Sequence, residues 1–180
     1  MRPLIVAEAA NPTFVSVPLE GWSHATAIQR LTGGHIVTQI RNRNAFIEQG
    51  LVEGQHFTAV DSERVAGAIF RVNTRLRRLG LGWTTTTALS SLSYYYFEKL
   101  LCEQFSERLA RGEFDLVHRV TPLSPTASSL LVAKLCNANN VPFILGPLNG
   151  GVAWPEGYDH VRRQEGEWLS YVRSAYKLMP

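Results

Sequence analysis

The feature that most constrains this chain is an alternation. Five short apolar runs, each bounded by turn-forming residues, are separated by longer stretches with helical periodicity. The runs are Leu4–Ala7, His35–Ile40, His56–Val60, Asp115–Val120 and Pro142–Leu145. Strands joined by helices in this way predict an α/β domain built on a mainly parallel sheet flanked by helices. The predicted helices run from about Trp22 to Leu31, from Asn42 as N-cap to near Gly50, and from Ser62 as N-cap to Leu79. Three more follow, roughly Ala88 to Arg111, Ala127 to Asn139 and Glu165 to Leu178, the second of them capped by Thr126 if that hydroxyl serves the helix.

Length and composition bound the functions available to such a domain. A chain of 180 residues with 45% apolar content is one domain's worth of sequence with a real core, which excludes disorder. Eighteen Lys and Arg against 15 Asp and Glu leave a net charge of only +3, so no nucleic-acid partner is expected. Cys102 and Cys136 lie within helical patterns and have no zinc-spaced partners, so neither a disulfide framework nor a metal is expected and a reduced, cytoplasmic setting fits. The apolar stretch after Arg2 ends at Glu8, as in a first strand and not a signal peptide. No run of 18 apolar residues occurs, so membrane contact would be peripheral, at the inner face.

Two helical stretches carry surface features. Between Ser62 and Leu79 the residues Val65, Ile69, Val72, Leu76 and Leu79 share one face, with Arg64, Arg71, Arg75 and Arg78 as a stripe beside it. That stripe reads as a solvated basic face, with a contact to anionic lipid headgroups or a phosphorylated acceptor as the functional alternative. In the long fourth helix Leu89, Leu92, Tyr96, Leu100, Phe97, Leu101 and Phe105 give a broad buried face. Tyr94, Tyr95 and Tyr96 cannot all point inward, because helical neighbours are about 100° apart.

Ligands of an open α/β sheet bind outside the carboxyl ends of its strands, which singles out three loops. The first, Asn11 to His24, delivers Gly21 to the predicted start of a helix, where free N–H groups attract phosphate. The second, His118 to Thr126, presents Thr121, Ser124 and Thr126 around two prolines, an arrangement suited to hydrogen-bonding a polyhydroxylated ligand. Within it His118 reads either as a buried, hydrogen-bonded histidine or as a general base. The third, Gly146 to Pro155, combines Asn149, Gly150 and Gly151 with Trp154, which can pack on an apolar ring face. Neither a G-x-G-x-x-G nor a G-x-x-x-x-G-K-[ST] pattern is present, which argues against a standard dinucleotide site or a P-loop.

Three segments together, Glu20-Gly21-Trp22-Ser23-His24, Asp115-Leu116-Val117-His118-Arg119-Val120-Thr121-Pro122 and Gly146-Pro147-Leu148-Asn149-Gly150-Gly151, resemble the N-terminal half of family 4 glycosyltransferases. These are retaining nucleotide-sugar enzymes of the GT-B architecture, and the likeness in strand order covers nearly the whole chain. The resemblance implies a Rossmann-like fold over residues 1–180, the first half of a GT-B two-domain enzyme, with about 158–180 a terminal helix leading toward an interdomain linker. It implies Gly21, Trp22 and Ser23 near the donor diphosphate and a catalytic role for His118. Acceptor contacts would fall to Thr121, Ser124, Asn149, Gly150, Gly151 and Trp154. Val120 stands where many members carry a second histidine, and Asn149-Gly150-Gly151 where many carry a His-Gly pair.

No Glu here has a Glu partner eight positions on, whereas family members carry such a pair in the second domain to bind the donor. The expectation is therefore an acceptor-side domain with no cofactor of its own. A nucleotide sugar would be the co-substrate of the full enzyme, with the C-terminal nucleotide-sugar-binding domain and a sugar or lipid-linked acceptor as partners. Polysaccharide biosynthesis is the setting the resemblance suggests. Alone, the domain is expected to be nearly inactive, because donor and acceptor must be clamped together for transfer. The alternative reading is a free-standing Rossmann-like module for a small ligand or a partner.

Overall fold

The computed structural model describes residues 1–78, 83–124, 127–149 and 156–164. The apolar runs become β1 (Pro3–Ala7), β2 (His35–Gln39), β3 (Phe57–Val60), β4 (Leu116–Thr121) and β5 (Phe143–Leu145). They pair in parallel in the order β3-β2-β1-β4-β5. The helices are α1 (Val17–Thr32), α2 (Arg43–Glu48), α3 (Glu63–Arg78), α4 (Trp83–Ala110), α5 (Leu130–Ala138) and α6 (Asp159–Gln164), with a short 3₁₀ turn over Ile40–Asn42. The architecture is Rossmann-like α/β.

The central strands read as unbroken apolar runs because both of their faces are covered. Leu4, Val6, Val37, Val60 and Val117 pack against Tyr94, Phe97, Leu101 and Phe105 of α4 and against Val132 and Cys136 of α5. On the opposite face Ile5, Ala7, Ile36, Phe57 and Val120 meet Ala25 of α1 and Phe46 of α2. From β1 the chain steps outward to β2 and β3, then returns to place β4 and β5 on the other side of β1. The strand order thus reverses between β1 and β4, and the carboxyl end of this pair is where ligands of such sheets bind. The β1–β4 register shifts between Val6 and Ala7, so that Val6 faces Arg119 and Ala7 faces Thr121.

Several boundaries differ from the sequence expectation. Helix α1 begins five residues before Trp22, with Pro18 in its first turn, where a fixed φ and a missing N–H suit a helix start. Gly21 therefore lies in the second turn, not at the helix start. Ser62 sits at the N-cap position of α3, but the carboxylate of Asp61 accepts the Glu63 N–H (3.0 Å), while the buried Ser62 hydroxyl has no partner among the described residues. Asn42 precedes α2 without capping it through its side chain, because its amide bridges β1 and β2 instead. Helix α4 starts at Trp83 and includes Thr84 to Thr87, and α5 starts at Leu130, three residues later than expected. Of the three consecutive tyrosines it is Tyr94 that is buried, while Tyr95 and Tyr96 are half-buried. Val65 and Ile69 are half-buried beside buried Ala66, and Arg64 and Arg71 are exposed. The side chains of Val72, Arg75, Leu76, Arg78, Leu89 and Leu92 lie outside the described residues, as do Leu79, Thr126 and the expected helix from Glu165 to Leu178.

Polar groups inside the core are held by specific partners. The fully buried His35 donates from Nδ1 to the Gln55 carbonyl (3.2 Å) and accepts the Thr58 hydroxyl at Nε2 (2.7 Å). Burial pushes its pKa down to about 4, so the ring is neutral and its tautomer is set. Arg119, also buried, donates from Nη1 to the Ala127 carbonyl and to Ser129 Oγ, with its guanidinium 5.4 Å from the centre of the Tyr94 ring. Glu98 accepts the Val132 N–H (3.1 Å) at the start of α5. The Tyr94 and Tyr95 hydroxyls pair with Ser129 and Ser128, each at 2.8 Å. Together these groups tie the segment before α5 to α4 and β4.

Gly21 sets the approach of α1 to the sheet. A Cβ there would lie well inside contact distance of the Ala9 carbonyl oxygen and 2.8 Å from the Thr121 methyl. Gly21→Ala is expected to lower the unfolding free energy by about 1–2 kcal/mol, because overpacking against backbone outweighs the gain in helix propensity of about 1 kcal/mol. Urea denaturation measures the sign; a stabilised variant would show that α1 does not pack this tightly.

Candidate functional site

The residue that ends each strand decides what the carboxyl edge offers. Glu8 follows β1, Gln39 ends β2, Thr121 ends β4 and Gly146 follows β5. Thr121 Oγ1 accepts the Ala9 N–H (3.0 Å), which closes the β1 and β4 loops onto each other directly beneath Gly21. His118, half-buried on β4, donates from Nε2 to the Gly146 carbonyl (2.8 Å). The Gly146 N–H in turn donates to the Arg119 carbonyl (3.0 Å), and the Asn149 N–H to the Leu123 carbonyl (2.8 Å). Segments more than a hundred residues apart in sequence thus form one continuous rim along the carboxyl edge.

Several residues singled out from sequence belong to that rim. Thr121 is buried and its hydroxyl is already engaged, Ser124 is half-buried with its carbonyl accepting the Ala127 N–H (3.2 Å), and Asn149 is exposed. His118 braces the second and third loops through the hydrogen bond to Gly146. Gly21 has its N–H engaged within α1, so it shapes the edge by close packing instead of presenting a free donor. Trp22 is half-buried and meets Phe46 edge to face, ring centres 4.7 Å apart, while Ser23 is exposed. Gly150, Gly151 and Trp154 lie outside the described residues.

Glu8 is a site residue that sequence reading passed over, treating it only as the end of an apolar run. Its backbone is clamped: the carbonyl accepts from Asn42 Nδ2 (2.9 Å), the Thr38 hydroxyl (3.3 Å) and the Gln39 N–H (3.3 Å). Its carboxyl group has no hydrogen-bond partner among the described residues. Burial pushes its pKa up to about 7, against the opposing pull of the nearby Arg41 guanidinium. A carboxyl that titrates near neutrality at the carboxyl end of a strand is suited to proton transfer or to switchable hydrogen bonding. The only signal in sequence was an acidic residue placed directly after the central strand.

Beside Glu8 the polar groups satisfy one another. Gln39 accepts the Arg41 N–H (2.7 Å) and donates to Glu63 (2.6 Å), whose carboxylate also receives two donors from Arg41. The Arg41 pairing holds the Glu63 carboxyl below its usual range. Asn11 accepts the Thr13 N–H (2.9 Å) and hydroxyl (2.7 Å), which orders the first loop and leaves Phe14 and Val15 exposed. Burial raises the thiol pKa values of Cys102 and Cys136 to about 12 and about 11, which makes both poor nucleophiles. Among the described residues no group of three metal-ligating side chains is found, and no helix is long and apolar enough to cross a membrane.

No family model, curated protein or solved structure matches this chain.

Glu8 and His35 make opposing contributions to stability. The raised carboxyl contributes stability that is full below its usual 4.5 and lost as pH rises to about 7. The depressed imidazole contributes stability that is full above its usual 6.5 and lost as pH falls to about 4. Each is on the order of 3 kcal/mol, that of Glu8 somewhat smaller because its carboxyl is partly solvated. Between pH 7 and 4.5 these two contributions therefore offset each other. Relative to the wild type, Glu8→Gln should lose stability on acidification and His35→Asn should gain it, as read from urea midpoints at three pH values. Parallel profiles for all three proteins would refute the offset.

Proposed function

We propose that this chain is the acceptor-side, Rossmann-like half of a retaining GT-B-type glycosyltransferase that passes a sugar from a nucleotide sugar to a glycan, lipid-linked or small-molecule acceptor. One convergence supports the reading. The three segments that carry the resemblance, far apart in sequence, touch at the carboxyl edge of the sheet: Gly21 against Thr121, and His118 bonded to Gly146. In this reading the loops around Thr121, Ser124 and Asn149, continuing into Gly150, Gly151 and Trp154, receive the acceptor. Gly21, Trp22 and Ser23 form the edge turned toward the donor diphosphate. His118 is the histidine of the catalytic edge, oriented by the Gly146 carbonyl. A C-terminal domain supplies the donor site, and exposed Arg64 and Arg71 offer a basic strip for an anionic membrane surface in the cytoplasm.

A second reading, a self-contained ligand-binding module, is favoured by one observation. Trp22 is packed on Phe46, whereas a half-site awaiting its second wall would leave that ring open.

The two readings separate in an assay of sugar release and transfer from a panel of UDP-, GDP- and ADP-sugars. The chain alone is expected to give no turnover, and the polypeptide extended through a downstream nucleotide-sugar domain is expected to give transfer with retained anomeric configuration. Robust turnover by the chain alone would overturn the split-site reading. Absence of transfer by the extended polypeptide would favour the module.

A further inference from the structure

We infer that Cys102 and Cys136 are a facing thiol pair that hydrogen peroxide oxidises to an intramolecular disulfide, fixing α5 against α4. The inference stands apart from the glycosyltransferase reading, since both thiols lie on helices and not in the loops at the carboxyl edge. Three contacts set how α4 and α5 lie. The Tyr94 hydroxyl pairs with Ser129 and the Tyr95 hydroxyl with Ser128, each at 2.8 Å, and farther along α4 Glu98 accepts the Val132 N–H (3.1 Å). Both sides advance together, with partners 33 to 35 positions apart, so the two helices run side by side in parallel. One further turn along each, four residues beyond Glu98 and four beyond Val132, brings Cys102 level with Cys136.

Packing puts both thiols on the shared surface. Cys136 is buried, and half-buried Cys102 packs against the same apolar cluster. The charge of Cys136 also acts on Cys102, together with those of Glu98 and Glu103, as it does only at short range. Helices about 8–10 Å apart bring directly facing Cα atoms to roughly 3.5–5.5 Å, and offset ones to somewhat more. A disulfide spans about 4.4–6.8 Å between Cα atoms, so this arrangement brings the bond within reach. The chain has only these two cysteines, so each is the other's sole intrachain partner.

Half-buried Cys102 is the thiol that a peroxide meets first. Its thiolate attacks one peroxide oxygen, the O–O bond breaks, and a sulfenic acid forms while the other oxygen takes up a proton and leaves as water. Cys136 then attacks the sulfenic sulfur: the S–S bond forms, the S–O bond breaks, and the departing hydroxide takes the Cys136 proton as water. Two thiols and one peroxide thus give one disulfide and two waters. Burial, then Glu98 and Cys136, push the Cys102 thiol up to about 12, and burial pushes that of Cys136 up to about 11. Arg119, the cation on this face, acts on Glu98. Thiolate is therefore scarce at neutral pH, and the pair responds slowly, to sustained oxidation. The bond adds a covalent tie to the hydrogen bonds that hold the segment before α5.

The test treats the folded chain with hydrogen peroxide at pH 7 and pH 9, quenches by alkylation, and maps peptides by mass without reductant. A peptide joining Cys102 to Cys136 is expected in monomeric chain and is expected to be lost on adding dithiothreitol. It should form about a hundredfold faster at pH 9 than at pH 7, because thiolate rises about tenfold per pH unit below the thiol pKa. Cys136→Ser is expected to lose the link and to leave a Cys102 sulfenic acid that dimedone labels. Should that variant not fold, the wild type decides through hydrogen exchange: oxidation must slow amide exchange across α5. Links only between chains, sulfinic acid at Cys102 without a link, a rate indifferent to pH, or unchanged exchange in α5 overturns the inference.

Discussion

The close approach of α1 to the sheet at Gly21 is the constraint on which the rest of the molecule depends. With no Cβ between them, the second turn of the helix rests on the Ala9 carbonyl and the Thr121 methyl, at the point where β1 and β4 separate. The Thr121 hydroxyl then reaches the Ala9 N–H, so helix, first loop and fourth strand lock at one place. A larger residue would push α1 outward and open the edge where the three loops meet. The register shift in the β1–β4 ladder serves the same junction, since it sets Thr121 opposite Ala7.

The two faces of the sheet divide the labour. On the α4 and α5 side, buried Arg119, Glu98 and Tyr94 tie the segment before α5 down, with Arg119 Nε and Nη2 and one Glu98 oxygen left without partners among the described residues. Burial raises the pKa of Glu98. That arrangement holds the segment just before α5 at a cost in unsatisfied polar groups. On the β2 and β3 side the ring of Gln39, Arg41 and Glu63 is nearly self-sufficient and leaves Glu8 as the group whose hydrogen-bonding capacity is open. Rigidity at the rim and one uncommitted carboxyl are what a binding edge requires.

Much of this was legible in the residues and some was not. The strands were readable because covering both faces of a parallel sheet demands unbroken apolar runs, and Leu4–Ala7 or His35–Gln39 admit little else. The loops that carry Thr121, Ser124 and Asn149 followed from the strand ends. The start of α1 was misread because Pro18 was taken as a loop residue, whereas in a first turn it costs nothing. The cap of α3 shifted from Ser62 to Asp61 because two adjacent residues could each supply the acceptor. Glu8 was invisible as a site residue: its raised pKa comes from groups brought over it by other parts of the chain, and no local pattern encodes that.

By itself, then, the sequence determined the number of strands, their succession along the chain, a mainly parallel sheet and the loops that end on its carboxyl edge, because apolar periodicity and turn chemistry are local properties. Only the tertiary structure decided that Gly21 serves as a contact surface for Ala9 and Thr121, that His118 is tied to Gly146, and that Glu8 is a carboxyl poised near neutrality. Those three facts depend on distance and desolvation between residues remote in the chain, which spacing along a sequence does not carry.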